Sequence, residues 1–240
     1  MTVAPPTPSD RAPGLMLSPD ARVAGDAEIG CNVVIHGLVE VGPGCVVQDG
    51  AVLGKVPKLA AHSTAARDLP GALVLEEGAA VCTGAVVFAG GRIGRGAIVG
   101  DQAFVRERAV LGERTVVGRG SAIDNDVTLG DRVRIQTLVY VTAHSVVEDD
   151  VFVGPGASTT NDDTMGRHDD AYEIRGCTLR RACRVGGASV LRPGIEVGEE
   201  AFVAMGAVVT RDVPARRIVR GVPAQVVGSV EEDELLENWR

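Results

Sequence analysis

A chain of 240 residues can hold one domain or two, and 31 glycines set against 4 Phe, 2 Tyr and 1 Trp exclude a core built on large aromatic rings. A formal net charge of −8 excludes a protein whose whole surface neutralises nucleic-acid phosphates or docks on anionic lipid, so any anionic ligand must be held locally. No apolar run approaches the ~18 residues that cross a bilayer, and the start MTVAPPTPSDRAPG lacks the charged and apolar regions of a signal peptide. A cytoplasmic chain is expected.

Residues 1–19 contain Pro5, Pro6, Pro8, Pro13 and Pro19 and read as a disordered or extended leader. From residue 20 a period of six takes over. One aliphatic register runs Val23, Ile29, Ile35, Val41, Val47, Leu53, resumes at Leu75 and continues every sixth residue to Val153, then runs from Leu179 to Val209. Two residues before each lies a mostly small register that includes Ala27, Cys45, Ala51, Ala97, Ala103, Ser121, Ser145, Cys177, Cys183 and Ala207. Six fits neither a 3.6-residue helix nor a hairpin sheet. It fits short strands joined by tight turns, three strands to a triangular coil of eighteen residues, with about nine coils in all. Glycine often follows the aliphatic residue, as in Ile29-Gly30 and Leu111-Gly112, and Gly-x-Gly pieces recur, as expected where turns need φ > 0.

The register is interrupted at 54–74 and at 160–178. Loops extruded from a solenoid are where such chains place function. The first has prolines at its centre and no acid–base cluster, which suits a surface loop that covers the column or meets a neighbouring subunit. The second, TNDDTMGRHDDAYEIRGCT, is dense in Asn, Asp, His and Arg and suits a substrate loop. Beyond residue 227, SVEEDELLENWR reads as a short acidic helix with Val230, Leu235 and Trp239 facing the body.

In an eighteen-residue coil, residues i and i+18 lie one above the other. Counting stacks Asp126, His144 and Asp162 on one edge and puts Asn125 and Asn161 on the track beside them. A carboxylate ~4.8 Å below an imidazole can orient it and raise its basicity, so His144 is the preferred general base. The same outward position also suits an exposed histidine with an incidental aspartate neighbour. Asn161 could hold the acceptor or the carbonyl oxygen as negative charge develops on it. His168 is a second candidate base; His36 and His62 read as structural. Five cysteines without metal spacing argue against disulfides and metal sites alike, with Cys45, Cys177 and Cys183 in core positions and Cys31 and Cys82 unassigned.

The hexads resemble those of the left-handed β-helix acyltransferases over residues 20–227, and the left-handed coiling is what that resemblance implies. Val151-Phe152-Val153-Gly154-Pro155 through Thr160-Asn161-Asp162 is similar to a segment of the sugar-nucleotide N-acetyltransferases of this fold. Related enzymes often carry Tyr-Glu-Gly where this chain has Thr142-Ala143-His144, so the family glutamate is absent and either His144 or the departing thiolate takes the proton. Gly186-Gly187-Ala188, the segment Ala204-Met205-Gly206 through Arg211 to Pro214, and Gly221-Val222-Pro223-Ala224 resemble the family's coenzyme A end. The resemblance implies acetyl-CoA as co-substrate, with pantetheine along the small residues Gly186, Gly187, Ala188, Ala204 and Gly206, phosphate at Arg211 and adenine beside Pro223. Arg220 belongs to the eight arginines that make residues 180–220 locally basic and suited to the CoA phosphates. It further implies a homotrimer with active sites between subunits and an amino group on a nucleotide-linked sugar as acceptor. O-acetylation and a non-catalytic hexapeptide scaffold stand as alternatives. A γ-type carbonic anhydrase needs three converging histidines, and the four present have no matching spacing.

Overall fold

The computed structural model describes residues 4–61, 63, 67–68, 70–169 and 171–239; His62 lies outside them. Its strands are mostly two residues long, and each turns one side chain out and the next in. In Ile98–Val99 the isoleucine is 39% exposed and the valine fully buried. Three strands and three turns complete a coil, and the strands stack into three sheets. Face 1 runs from Leu15–Leu17 to Val208–Val209, face 2 from Arg22–Val23 to Glu196–Val197, and face 3 from Glu28–Ile29 to Arg217–Arg220. The chain visits them in that order. Pairing between coils is parallel at a spacing of eighteen on every face, as in Ala122↔Tyr140, Thr128↔Val146 and Arg134↔Phe152. The molecule is therefore the triangular parallel β-helix that the period of six predicts.

The column is longer than the nine coils expected from the repeat. Faces 1 and 3 are eleven-stranded and face 2 nine-stranded. At the bottom, the expected disordered leader is instead structure: Thr7–Ser9 pairs antiparallel with Leu15–Leu17, which lies parallel on Val34–Ile35 as a further rung. Leu17 continues the aliphatic register one step below Val23, and the prolines beside it hid that continuation. At the top, Arg217–Arg220 adds a rung whose outward arginines masked it, and Gln225–Ser229 folds back on it antiparallel. The two reversed strands cover sheet ends that would otherwise offer unpaired backbone groups.

The aliphatic register fills the prism: Ile35, Leu53, Ile93, Leu111, Ile123, Ile135 and Leu191 are fully buried. Cys45, Cys177 and Cys183 lie in the small-residue register and are also fully buried. Burial pushes the Cys177 thiol up to about 11 and the Cys183 thiol higher still, so both stay protonated.

Glycine has two distinct uses here. Positive φ recurs three residues after the inward aliphatic residue, at Gly44, Gly96 and Gly120 but also at Asn32, Asp126 and His144. The glycine immediately after the aliphatic residue serves close packing instead. A Cβ on Gly112 would lie 2.4 Å from the carbonyl carbon of Gly130 in the next coil. The expectation that these glycines supply positive φ is thus corrected: the turns demand it two positions later, and the first glycine is needed because successive coils touch backbone to backbone.

The C-terminal segment is not the expected single helix. It forms two short 3₁₀ turns, Glu232–Glu234 and Leu236–Asn238, laid against the column. Val230 and Leu235 face inward as expected, whereas Trp239 is 75% exposed. The backbone N–H of Leu236 donates to the buried Glu200 carboxylate at 3.0 Å, which ties the tail to the turns between faces 2 and 3.

Because Ile123 is fully enclosed by aliphatic neighbours, Ile123→Ala should lower the unfolding free energy by about 2–5 kcal/mol in chemical denaturation.

Candidate functional site

Both extruded loops leave the column at the same edge, the one between faces 1 and 2. The first joins Val52–Lys55 of face 1 to Leu73–Leu75 of face 2, and the second joins Ser158–Thr159 to Thr178–Leu179. Between them the edge carries the turns Ala89-Gly90, Glu107-Arg108, Asn125-Asp126 and Ala143-His144. The returning end of the first loop packs on the lowest of these, with Pro70 so close to Gly90 that a Cβ there would meet it at 2.7 Å. The second loop closes over the uppermost.

The eighteen-residue count holds within this stretch. Asp126 and His144 occupy equivalent turns, and the His144 N–H donates to the Asn125 carbonyl at 3.3 Å. Both residues have positive φ, 57° and 64°, a conformation tolerated by Asp and His that aims their side chains away from the strands. His144 is exposed. The Asp126 carboxylate, however, is held by Arg108, with Nε to Oδ1 at 2.6 Å and Nη2 to Oδ2 at 2.8 Å, and by the Asn125 amide at 2.7 Å. The Arg108 hydrogen bonds hold the Asp126 carboxyl below the usual carboxylate range. Asp126 therefore contributes a fixed negative charge one coil below His144 and spends its hydrogen bonds on Arg108.

The count fails at the second loop. The strands on either side of it are thirty-two residues apart rather than eighteen. The residue over His144 is accordingly Gly176 and not Asp162: a Cβ at 176 would lie 2.3 Å from the Ser145 nitrogen and 2.4 Å from the His144 carbonyl carbon. Only glycine fits there, and it lets the loop's returning strand settle on His144. His144, Glu173, Ile174, Arg175, Gly176, Thr178 and Gly194 line a cleft of about 620 Å³.

Asp162 turns into the loop instead. It accepts hydrogen bonds from the Thr164 N–H and hydroxyl and from the Gly166 N–H, each at 2.6 Å. With Thr164 as the largest cause, its pKa falls to about 2. His168 lies with Nε2 3.6 Å from the Asp162 Oδ2 and stacks on Tyr172, ring centroids 4.6 Å apart. The Asn161 carbonyl accepts from the Arg175 N–H at 3.1 Å, and Asp163 holds Arg192 through two bonds of 2.8 Å. Asn161, Asp162 and His168 thus act as one compact loop structure beside the cleft.

The sequence reading missed a second cluster on the same edge. The Glu107 side chain is fully buried, bridged to Arg106 at 2.8 and 3.1 Å. Arg106 also reaches Asp124 at 3.0 Å, and the Tyr140 hydroxyl donates to Asp124 at 2.9 Å. The available signal was the eighteen-residue ladder itself, which aligns Arg106 with Asp124 and Arg108 with Asp126. His36 lies lower on this edge, its pKa lowered by burial and by Lys55. Among the described residues no three His, Cys, Asp or Glu side chains are grouped to hold a metal ion.

The residues expected to hold the coenzyme divide between two edges. Gly186, Gly187, Ala188, Ala204 and Gly206 lie on the edge between faces 3 and 1. Their turns are laddered there by Ala188 N–H to Pro155 and Gly206 N–H to Gly187. Gly206 has positive φ, and a Cβ there would meet nothing within 4 Å, so a thin chain can lie against this edge. Arg220 ends the top strand of face 3, and Gly221 to Pro223 continues onto the same edge, where the Val208 N–H donates to Gly221. Arg211 lies apart, on the edge between faces 1 and 2, beside the bridge that joins Val213 to Val197 of face 2.

Known proteins bear this geometry out at the level of fold. Residues 181–211 match the family model "Hexapeptide repeat of succinyl-transferase". A 2,3,4,5-tetrahydropyridine-2,6-dicarboxylate N-acetyltransferase of Enterococcus faecalis is 43% identical over 61 residues, 23% of this chain and 26% of the relative. The enzyme of the same name from Staphylococcus aureus is 46% identical over 48 residues, 20% of each chain. The chain thus spans about a quarter of the length of these relatives. Among solved structures, LpxA of Acinetobacter baumannii aligns with a TM-score of 0.56 at 15% identity, covering 92% of this chain and 73% of that one. A Francisella novicida UDP-N-acetylglucosamine acyltransferase aligns at 0.50 and 16%, covering 93% and 73%. The chain is a parallel β-helix whose strands recur every six residues.

Glu107→Leu removes a fully buried carboxylate and leaves the partly exposed Arg106 with Asp124 as its partner, so it should cost about 1–3 kcal/mol of stability. Asp126→Asn, at a partly exposed pair, should cost less than about 1 kcal/mol. Thermal unfolding of the two variants side by side checks this ordering.

Proposed function

We propose that the protein is an acetyl-CoA-dependent acyltransferase acting on the amino group of a small acceptor, with a nucleotide-linked amino sugar as the favoured class. The observation that carries this reading is the placement of His144. It is an exposed imidazole on an edge bounded by two extruded loops, with a fixed carboxylate one coil below and a polar cleft beside it. N-acetyltransferase names among the partial relatives and acyltransferases among the fold neighbours support it.

The neutral amine attacks the thioester carbonyl. As the tetrahedral centre forms, His144 accepts the amine proton, and the proton passes to the sulfur as the carbon–sulfur bond breaks, giving the amide and free CoA. Asp126, kept ionised by Arg108, stands one coil below the imidazole. The Asp162 loop, ordered by its own hydrogen bonds, forms the wall against which the acceptor is held, with the Asn161 side chain assigned to the acceptor or the developing oxyanion.

The small-residue edge proposed for pantetheine is the opposite margin of face 1 from His144. Six residues separate neighbouring corners of a coil, so the two edges of one chain stand up to ~20 Å apart. A reaction between groups on them is served by a second chain, whose edge between faces 3 and 1 docks beside the first chain's His144. In a cyclic trimer each chain supplies one edge to each neighbour, giving three composite sites.

In a steady-state assay with acetyl-CoA and amino-sugar nucleotides, His144→Ala should lower kcat by about 10²–10⁴-fold with little change in the KM for acetyl-CoA. A kcat close to that of the unaltered enzyme would remove His144 from the chemistry. Gly186→Val, whose side chain would drive into the Met205 backbone, should instead raise the KM for acetyl-CoA.

A further inference from the structure

A separate cavity of about 420 Å³ lies on face 3, at its margin with face 2, and none of the chemistry above uses it. Its floor is a ladder of outward side chains on successive strands, Arg134, Phe152 and Arg184, which Phe202 continues one strand beyond the cavity. Each guanidinium lies over the phenyl ring of the next coil, Arg134 at 5.5 Å from Phe152 and Arg184 at 5.1 Å from Phe202. The 3₁₀ turns of the C-terminal tail form the far wall with Glu234, Leu236 and Trp239.

The hydrogen-bond inventory of this cavity is incomplete. Arg184 Nε and Nη2 are both buried and donate to no acceptor. The nearest carboxylate, Glu234, stands at 3.7 Å, beyond hydrogen-bond reach. Arg134 forms no ion pair among the described residues, whereas Asp150 on the cavity rim is taken by Arg132. A buried donor left without an acceptor is destabilising, and a ligand that supplies the acceptor removes that penalty. Guanidinium groups stacked on aromatic rings are held in fixed planes, ready for an oxyanion. The two arginines together present more N–H donors than one carboxylate can accept, which favours a phosphate. Opposite them Trp239, 75% exposed, and Leu236 offer an apolar platform with the breadth of a planar ring. The volume exceeds what inorganic phosphate needs and lies in the range of small-ligand sites.

We infer that this cavity binds a mononucleotide-sized ligand, its phosphate on Arg134 and Arg184 and its ring against Trp239. Glu234 occupies part of the phosphate position as a weak internal substitute and is displaced on binding. The site lies at the opposite margin of face 3 from the small-residue edge, so it is independent of the acyl-transfer reading.

Trp239 is the only tryptophan in the chain, so intrinsic fluorescence reports on this cavity directly. The full-length protein is titrated with AMP, adenosine and inorganic phosphate. AMP should give a saturable change, phosphate should compete with it, and adenosine should bind at least about tenfold more weakly because it lacks the charged contact. Arg134→Ala, on the exposed rim, and Arg184→Lys, which keeps the charge and the fold but loses the planar donors, should each weaken AMP about tenfold or more. Glu234→Gln should strengthen it, an effect that no merely structural role for these residues produces. His144→Ala, on a different edge, should leave AMP binding unchanged, and Arg134→Ala should leave the KM for acetyl-CoA unchanged. Absence of a saturable change up to ~10 mM AMP, equal affinity in Arg134→Ala, or loss of the AMP signal in His144→Ala would each overturn the assignment.

Discussion

The parallel backbone ladder between coils is the constraint on which everything else in this molecule rests. Outside the two insertions each short strand donates and accepts across a spacing of eighteen residues, so every such coil repeats the height and orientation of the one below. The ladder is satisfied only if the backbones touch at the corners. That contact explains why glycine follows so many inward aliphatic residues and why the core is Val, Ile, Leu and Ala with almost no aromatic ring. Once the ladder is fixed, a residue's edge follows from its place in the hexad, and its height from its coil. Chemistry can then be distributed along a straight edge by substituting turn residues, at little risk to the core.

The protein uses that freedom at one edge above all. Both long insertions leave from the boundary of faces 1 and 2, and the four turns between them hold Arg108, Asp126 and His144 in line. The Arg106–Glu107–Asp124–Tyr140 network lies directly beside them. Burying the Glu107 carboxylate is costly unless its partners are fixed. The same coils that stack these residues supply the fixity. Arg108 keeps Asp126 ionised, and the neighbouring loop keeps Asp162 ionised through its own hydrogen bonds. Glu107, Asp124, Asp126 and Asp162 are thereby engaged by neighbouring donors, and the proposed proton transfer is assigned to His144.

The fold was legible because the hexad is a local rule repeated many times; a single aliphatic position every six residues specified strand, face and core together. Legibility failed where the rule stops being local. Asp162 was counted onto His144 because eighteen residues separate them, but the insertion between Thr159 and Thr178 resets the count, and Gly176 takes the place over the imidazole. Arg211 was placed at the coenzyme's phosphate by resemblance of its motif, although one turn of the chain carries it to a different edge from the small residues. At the ends, prolines and arginines disguised true rungs at Leu15–Leu17 and Arg217–Arg220. The Glu107 cluster was readable in principle, since Arg106 and Asp124 are eighteen apart, but nothing in the sequence says which such pairs point inward enough to be buried.

The central claim is that groups needed together stand on opposite edges of one chain and meet only across two chains. Subunit complementation tests it directly. Chains carrying His144→Ala and chains carrying Gly186→Val, each inactive as a homo-oligomer at sub-saturating acetyl-CoA, are unfolded, mixed in equal amounts and refolded together. A composite site predicts that activity returns in the mixture, to about one site in four for random association into a cyclic oligomer. A mixture that forms hybrid oligomers yet stays as inactive as its parents would place both groups in a single chain's site and contradict the account.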